Sequence, residues 1–315
     1  MSSYGGLTVW SRFVPQARHY RLIAFDGSRV RTLAIGARNA PFDAQVGPAP
    51  DGHAVVAYSR CRQNTADRAF GGVPLALRQI GCRLFVYDPR AATERRVAVP
   101  LSRHESASLP AVWGGRIVWA QTTTRSDGTP TRMRLRTARI ASPSKPTTLP
   151  GGTPSDLGSL TGSISEVAFD GKRVAFLWAV TFKSCARSDA GTADGGQQRE
   201  IWLTSLTGKR RRVERTCAGA DPVDWFSHPA LAGNKLSYLA AYKGANGESL
   251  TRLRSFDTTS GTYREAQLPD TYAADLAGGR LYTAHGSAFT ASTINRLAIP
   301  IMHPVGPVPS GSPHR

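Results

Sequence analysis

Residues 48–60 read PAPDGHAVVAYSR, a stretch in which the turn residues Asp51 and Gly52 come directly before an apolar segment. Asp-Gly and Gly-Gly pairs are typical of tight turns, and a short apolar run after such a turn favours a buried strand. One or two glycines followed by a β-rich, aromatic-containing segment occur six times. The glycines of these six copies end at Gly6, Gly52, Gly115, Gly171, Gly233 and Gly279. A repeat of this length favours a β-propeller, in which each copy forms one blade.

Each copy contains enough further pattern for four strands. A third, alternating segment follows the aromatic one, as in CRLFVYDP from residue 82 and REIWLTSL from residue 199. A turn and a short outer strand come next, and a candidate innermost strand precedes each glycine. We therefore predict an all-β chain that folds as one six-bladed β-propeller of four-stranded antiparallel blades over residues 1–303. The predicted blades cover residues 1–36, 37–102, 103–152, 153–218, 219–269 and 270–303, and a Pro/Gly/Ser-rich tail covers 304–315. The outer strand of the last blade is not evident from the pattern.

The composition fits a folded, basic protein. Lys and Arg number 40 and Asp and Glu 22, which gives a formal net charge of +18, while 40% of the residues are hydrophobic. That apolar share can build a core, unlike the composition of a disordered polycation. The longest apolar run, residues 174–180, is far shorter than the roughly 20 residues that a membrane-spanning helix needs. We expect a monomer without a transmembrane segment.

The four cysteines form no C-x-x-C pair, so we expect no metal site, and we expect no cofactor either. On the predicted blades, Cys61 ends a second strand and Cys82 opens the following third strand. Cys185 and Cys217 lie at strand ends that emerge on one face of the propeller. We therefore predict the disulfides Cys61–Cys82 and Cys185–Cys217, which are typical of an oxidising compartment. The alternative is four buried free thiols in a cytosolic protein.

The stretches PAPDGHAVVAYSR and CRLFVYDPRAATERRV together resemble the TolB-like, WD40-like propeller repeat. In that repeat a Pro-Asp-Gly turn precedes an apolar strand, and a second strand leads into an Asp-containing turn. The other copies replace Pro-Asp-Gly by VWGG, AFDG, ALAGN and DLAGG, so the resemblance is degenerate there. It implies a periplasmic or secreted scaffold that binds proteins or envelope components, with a signal peptide missing from the chain as given. Related propellers also occur as accessory domains of peptidases.

No G-x-S-x-G elbow, Walker loop, His-Glu-x-x-His helix or G-x-G-x-x-G after a strand is present, which disfavours several enzyme classes. Four polar residues fall on candidate innermost strands and are predicted to converge on the central channel: Asp43, Glu166, His228 and Asp275. Carboxylates in that position can bind a cation or act as acid and base. The alternative is a solvated channel lining. His285, just after an aromatic strand, is a further histidine near the channel or its rim.

Long loops after the second strands are predicted to crowd one face and to make it basic. The candidate binding residues on this face are Arg60, Arg62, Arg68, Arg78, Arg125, Lys183 and Arg187. Such a face suits an acidic protein, an anionic glycan or a phosphate-rich surface, although a merely solvated basic face is the alternative. Nucleic acid is not expected as a partner, because no run combines basic residues with exposed aromatic ones.

The sequence is compatible with two functions. The first is a non-enzymatic, extracytoplasmic propeller that presents its basic loop face to a protein or an anionic envelope polymer. The second is an extracellular polysaccharide hydrolase or lyase that uses the predicted channel carboxylates and His228 as acid and base.

Overall fold

The structure is a computed structural model. It describes residues 1–66, 77–126, 130–150, 162–181, 197–217, 223–243, 249–268, 271–277, 280–285, 293–298 and 300–307. The chain is all-β, and its strands form the four-stranded antiparallel blades of a β-propeller, which confirms the predicted fold class. Helical structure in the described part is limited to a 3-10 turn at Pro15–Ala17. Backbone contacts group the chain into two compact units, residues 2–154 and residues 155–315 with Met1.

The unit of residues 2–154 contains three four-stranded sheets and one small hairpin. Sheet one has the order β1 (Ser2–Tyr4), β2 (Leu7–Val14), β3 (His19–Phe25), β4 (Val30–Thr32). Sheet two has the order β10 (Thr93–Val97), β9 (Arg83–Asp88), β6 (Ala54–Arg60), β5 (Gln45–Pro48). Between β6 and β9 lies the hairpin of β7 (Gln63–Ala66) and β8 (Leu77–Ile80). Sheet three has the order β11 (Glu105–Trp113), β12 (Arg116–Thr124), β13 (Pro130–Arg139), β14 (Ser142–Thr148).

The unit of residues 155–315 also contains three sheets. Sheet four has the order β15 (Ser163–Phe169), β16 (Arg173–Thr181), β17 (Gln197–Ser205), β18 (Arg210–Cys217). Sheet five has the order β19 (Val223–Ala232), β20 (Lys235–Lys243), β21 (Ser249–Asp257), β22 (Tyr263–Gln267), β26 (His303–Val305). Sheet six has the order β23 (Thr271–Ala277), β24 (Arg280–His285), β25 (Thr293–Ala298).

The number of complete blades differs from the prediction. Five sheets in the described part have four or more strands, whereas sheet six has three. The strand that follows β25 is β26, and it pairs antiparallel with β22 on the outer edge of sheet five. Residues 304 and 305, assigned to the tail from the sequence, therefore belong to a strand.

The repeated glycine-aromatic phrase forms the turn and the buried strand that it predicts. Gly6, Gly52, Gly115, Gly171 and Gly233 all have positive φ, which a residue without a Cβ adopts at little cost. The aromatic residue that follows is buried in all six sheets, at Trp10, Tyr58, Trp119, Phe176, Tyr238 and Tyr282. Apolar clusters join successive sheets within each unit, for example Val56 and Tyr58 of sheet two with Val9 and Leu22 of sheet one.

One glycine marks a close approach between sheets two and three. A Cβ on Gly47 of β5 would overlap the carbonyl oxygen of Val112 in β11. Any larger residue would therefore force the two innermost strands apart.

The disulfide Cys61–Cys82 is present, as predicted. Cys217 is disulfide-bonded as well, while its predicted partner Cys185 lies outside the described residues. None of the helices among the described residues has the length and apolar character needed to cross a bilayer.

Candidate functional site

Arginine side chains gather at the end of sheet two that carries the disulfide. Arg60, the last residue of β6, pairs across the ladder with Arg83, the first residue of β9. The disulfide joins Cys61, which follows Arg60, to Cys82, which precedes Arg83, so it fixes the ends of both strands. Arg62 follows directly, with its side chain against Gly81.

Arg60 has a carboxylate partner. Its Nη2 donates to Glu94 Oε1 at 2.6 Å, and its guanidinium lies over the ring of Phe85 at 4.8 Å. One positive charge at this end of the sheet is therefore already neutralised and stacked on an aromatic face.

Three further guanidinium groups form what we call the arginine cluster: Arg62, Arg83 and Arg96. Burial lowers the pKa of Arg83, and the neighbouring charges of Arg96 and Arg62 lower it further. Arg83 Nη1 donates to backbone carbonyl oxygens, that of Cys82 at 3.0 Å and that of Glu105 at 3.4 Å. Across the residues that the structure describes, no carboxylate forms an ion pair with the cluster. Arg62 and Arg96 are exposed, so the cluster presents uncompensated positive charge to solvent.

The predicted basic face is only partly described. Arg60 and Arg62 lie at this end of sheet two, and Arg125 is exposed just after β12. Arg78 is in β8, but its side chain is outside the described set, as are residues Arg68, Lys183 and Arg187. Sequence reasoning missed Arg83 and Arg96. Strand register was the signal that could have found them, because Arg83 opens the strand opposite Arg60.

Asp43 lies two residues before β5 and holds together three segments of its unit. Its Oδ1 accepts the backbone N–H of Ser59 at 2.9 Å, and its Oδ2 accepts the Ser59 hydroxyl at 2.6 Å. Oδ2 also accepts the N–H of Leu109 at 2.8 Å. Arg38 Nη1 lies 3.7 Å from Oδ1 and donates to the Ser59 carbonyl at 2.7 Å. The Arg38 and Asp43 side chains are 6% and 5% exposed, so this carboxylate is a buried, well-bonded structural anion.

Glu166 of β15 makes the equivalent bond in the other unit, with fewer partners. Its Oε2 accepts the backbone N–H of His228, in β19, at 2.7 Å. Burial raises the pKa of Glu166 to about 7, against the lowering effects of that hydrogen bond and of the nearby Arg199. Burial also lowers the pKa of His228 to about 3, so its ring is neutral near pH 7. Both residues nevertheless keep some solvent-accessible surface.

Asp275 of β23 belongs to the same neighbourhood. Burial lowers the pKa of the Met1 amino group, while the charges of Glu166 and Asp275 both raise it. The Nδ1 atom of His228 is buried and has no hydrogen-bond partner among the described residues. The structure thus brings Glu166, His228 and Asp275 together within residues 155–315. His285 ends β24, and its side chain is not described.

A repeated tetrapeptide explains the two carboxylate bonds. Ser108-Leu109-Pro110-Ala111 in β11 and Ser227-His228-Pro229-Ala230 in β19 share the order Ser-x-Pro-Ala. The strand register shifts over both segments, and Leu109 and His228 adopt φ of +52° and +54°. Each bulge turns one N–H out of the ladder and toward a carboxylate of the preceding sheet. Among the described residues, no group of three or more His, Cys, Asp or Glu side chains is arranged to hold a metal ion.

Solved structures similar to this chain include several peptidases. An acylaminoacyl peptidase from Pyrococcus horikoshii aligns with a TM-score of 0.49 and 10% identity over 94% of this chain and 50% of the peptidase. A puromycin-hydrolyzing peptidase from Mycobacterium tuberculosis gives 0.46 and 15% over 97% and 52%. The β-propeller domain of the Trilobed protease from Pyrococcus furiosus gives 0.42 and 10% over 96% and 81%.

This chain spans about half the length of the two whole peptidases. At this level of identity and overlap, the similarities carry no argument about its activity. No protein-family model matches the chain, and no curated protein does.

Proposed function

We propose that this chain is a non-enzymatic, extracytoplasmic propeller scaffold that uses a basic face to bind an acidic protein or an anionic envelope polymer. The observation that supports this most directly is the arginine cluster beside Cys61–Cys82. Three guanidinium groups with no carboxylate partner in the described part of the chain repel one another. An anion placed among them would relieve that repulsion.

Arginine is also the residue type suited to such a partner. Its planar guanidinium can donate two parallel hydrogen bonds to a carboxylate, sulfate or phosphate group. The disulfide holds the strand ends that carry Arg83 and lead into Arg62, so these donors are positioned before a partner arrives. Donors that are already positioned lose less conformational entropy when a partner binds, which favours affinity.

The distribution of acidic residues strengthens the positive field at the surface. Glu214 and Glu265 are buried and both accept from the buried guanidinium of Arg254, at 2.6 Å each. Glu200 is also buried and accepts from the Trp202 indole at 2.7 Å. Because carboxylates such as these are enclosed, much of the net charge of +18 lies on exposed arginines and lysines.

Two observations support an extracytoplasmic location. Cys61, Cys82 and Cys217 are all disulfide-bonded, and structural disulfides are typical of oxidising compartments. The resemblance of residues 48–60 and 82–97 to TolB-like repeats points to the same compartment and to a binding role.

Binding of charged and uncharged polymers to variants tests this function. We expect polygalacturonate or polyphosphate, but not dextran, to bind the wild type, and added salt to weaken the binding. Combined Arg62→Ala and Arg96→Ala substitutions are expected to reduce affinity about tenfold or more. The matched control combines Arg132→Ala and Arg139→Ala, which remove two exposed arginines of β13. Equal losses in both double variants would show a non-specific charge effect and contradict a dedicated site.

The second candidate is a polysaccharide hydrolase or lyase, favoured by the group around Glu166. A carboxyl group with a pKa of about 7 exists in both protonation states at neutral pH, which general acid–base catalysis requires. Asp275 would then be the second carboxylate, while neutral His228 would act as a hydrogen-bonding group and not as an acid.

Turnover of anionic polysaccharides by wild type and by Glu166→Gln separates the two functions. The scaffold function predicts no turnover by either protein and unchanged polymer binding in the variant. Turnover by the wild type that Glu166→Gln abolishes would establish the enzyme instead. Alanine substitutions at Glu166 and His228 that left a measured turnover intact would exclude this group as its source.

A further inference from the structure

A cavity of about 420 Å³ lies beside sheet five, in the unit of residues 155–315. One side is formed by β20, β21, β22 and the turn between the last two strands. The other side is formed by Pro300 and Met302, on the segment that leads into β26. Neither the arginine cluster nor the Glu166 group contributes to it, so the inference drawn from it is independent of the proposed function.

Strand register explains why this surface is polar. Ser255 of β21 is paired with Arg264 of β22, and Asp257 is paired with Lys235 of β20. Residues two apart on a strand share a face, so these side chains lie on one face of the sheet. Further along the same face Leu239 and Leu253 belong to an apolar cluster that packs with Leu281 of sheet six. The cavity therefore begins where that apolar packing ends.

The negative charge in the cavity is already engaged. Asp257 Oδ1 accepts the backbone N–H groups of Thr259 and Ser260 at 2.8 and 2.9 Å, and Oδ2 accepts from the Asn234 side chain at 2.5 Å. The hydrogen bonds from Ser260 and Thr259, and the nearby charge of Lys235, hold the pKa of Asp257 below its usual value. The carboxylate is thus the structural anion of the β21–β22 turn.

The two cations in the cavity are not engaged in the same way. Over the described ranges, the side chains of Lys235 and Arg264 form no hydrogen bond or ion pair, while the charge of Lys235 acts on Asp257, its neighbour across the ladder. Hydroxyl groups of Ser255, Ser260 and Thr262 line the same cavity. Those of Ser260 and Thr262 hydrogen-bond to each other at 2.8 Å, and each hydroxyl oxygen can accept a further hydrogen bond. The cavity therefore combines two cations and one carboxylate, a net positive charge, with groups that match the hydroxyls of a sugar.

The volume argues against a simple ion. A space of about 420 Å³ lies in the range of small-molecule sites and greatly exceeds the size of one phosphate or carboxylate group. Pro300 and Met302 offer an apolar surface for the C–H face of a ring. We propose that this cavity binds a sugar carrying one anionic group, a carboxylate or a phosphate, with the anionic group at Lys235 and Arg264 and the ring hydroxyls at Ser255, Ser260 and Thr262.

Binding there would also fix the segment that closes the cavity. Residues after Met302 form β26, in which Pro304 pairs with Arg264 itself. The buried guanidinium of Arg254 then donates to the Gly306 carbonyl at 2.8 Å. A sugar held between Arg264 and Met302 would therefore bridge β22 and residues 300–306 and slow their separation.

Calorimetric titration with four probes tests the site: glucose 6-phosphate, glucuronate, glucose and inorganic phosphate. We expect one or both anionic sugars to bind, and the tighter of the two identifies the anionic group. Lys235→Ala and Arg264→Ala should each weaken that binding about tenfold or more. The matched controls Lys172→Ala and Arg139→Ala, which remove exposed cations elsewhere, should leave it unchanged.

Three results would overturn the proposal. They are dissociation constants above about 10 mM for both anionic sugars, inorganic phosphate binding as tightly as glucose 6-phosphate, and equal binding of glucose. Amide hydrogen exchange gives a second readout. The bound sugar should slow exchange at residues 301–306 in the wild type and not in Arg264→Ala, and unchanged exchange in the wild type would contradict the bridging arrangement.

Discussion

Asp43 and Glu166 receive the same backbone bond in different surroundings. Each accepts an N–H from a left-handed residue at a Ser-x-Pro-Ala bulge, Leu109 in one unit and His228 in the other. Asp43 has a buried arginine and the Ser59 N–H and hydroxyl as further partners. Glu166 accepts one such bond, and burial raises its pKa to about 7.

The difference shows that one local backbone arrangement can occur in two electrostatic settings. Asp43, with three hydrogen-bond donors and the Arg38 guanidinium beside it, ties together the segments around Arg38, Ser59 and Leu109. Glu166 has one hydrogen-bond donor, and its burial raises its pKa to about 7 even though Arg199 and the Met1 amino group lie nearby, so it can exchange a proton near neutral pH. The number of donors, and not the bulge itself, distinguishes the two carboxylates.

The largest expected effect comes from removing the better-bonded carboxylate. Asp43→Ala leaves the buried Arg38 without its anion and three donors without an acceptor, so we expect a loss of about 3 to 5 kcal/mol in the free energy of unfolding. Urea unfolding measures it. Glu94→Ala removes the partner of the more exposed Arg60 and should lose about 1 kcal/mol or less. A similar small loss in Asp43→Ala would mean that Asp43 is not the structural anion of its unit.

The second prediction tests whether the disulfide stabilises the hydrogen bonds around Asp43. The bridge closes a loop with a sequence separation of 21, two residues from Ser59. Replacing Cys61 and Cys82 together by Ser should lower the free energy of unfolding by about 3 kcal/mol. Hydrogen exchange should quicken at the Ser59 N–H and stay unchanged at the His228 N–H. Faster exchange at both positions would show that the bridge stabilises more than its own unit.

The titration of Glu166 should have a smaller, pH-dependent effect on the free energy of unfolding. Because the folded pKa of about 7 lies above that of an unfolded glutamate, the folded state binds more protons between about pH 4.5 and 7. Wild-type stability should therefore fall as pH rises through this window and level off above it. We expect the wild-type decline to be about 1 to 2 kcal/mol, a value reduced because Glu166 keeps some contact with solvent. Glu166→Gln keeps an acceptor for the His228 N–H but does not titrate, so it should lack this decline.

Melting temperatures of both proteins from pH 4.5 to 8 measure the decline. Parallel curves would show that Glu166 is ionised throughout, as a structural anion would be. In that case the distinction between the two carboxylates would not hold.

The smallest effect concerns the bulges. His228 adopts φ of +54°, a region that asparagine populates more readily than histidine. His228→Asn should therefore raise the free energy of unfolding by less than about 1 kcal/mol. The control His104→Asn changes an exposed histidine without a positive φ and should have no such effect. Destabilisation of His228→Asn alone would show that the imidazole, and not the backbone, determines the preference at this position.

The sequence predicted the blades well because their information is local. A glycine that needs positive φ and an aromatic residue on the buried side of the next strand lie within a few positions of each other, as Gly115 and Trp119 do. The Cys61–Cys82 bridge followed from the same placement, since strand ends in one hairpin are neighbours.

The parts that escaped prediction depend on pairings between distant residues. The arginine cluster requires the register of β6, β9 and β10, which the loop between Cys61 and Cys82 separates along the chain. Nothing local in residues 303–305 indicates that they pair with β22 and not with β25. The bond from His228 to Glu166 spans 62 residues, although the recurrence of Ser-x-Pro-Ala could have drawn attention to it.

The position of β26 has a consequence for the order in which the chain assembles. Strand β22 ends at Gln267, and its partner begins at His303, so all of sheet six is synthesised between them. Most other pairings join strands that leave the ribosome in immediate succession and can form as they emerge. The outer edge of β22 must instead stay open until β26 is made, and an open edge is where strands of different chains pair wrongly. Nascent chains that stall before residue 303 should therefore be the most prone to aggregate.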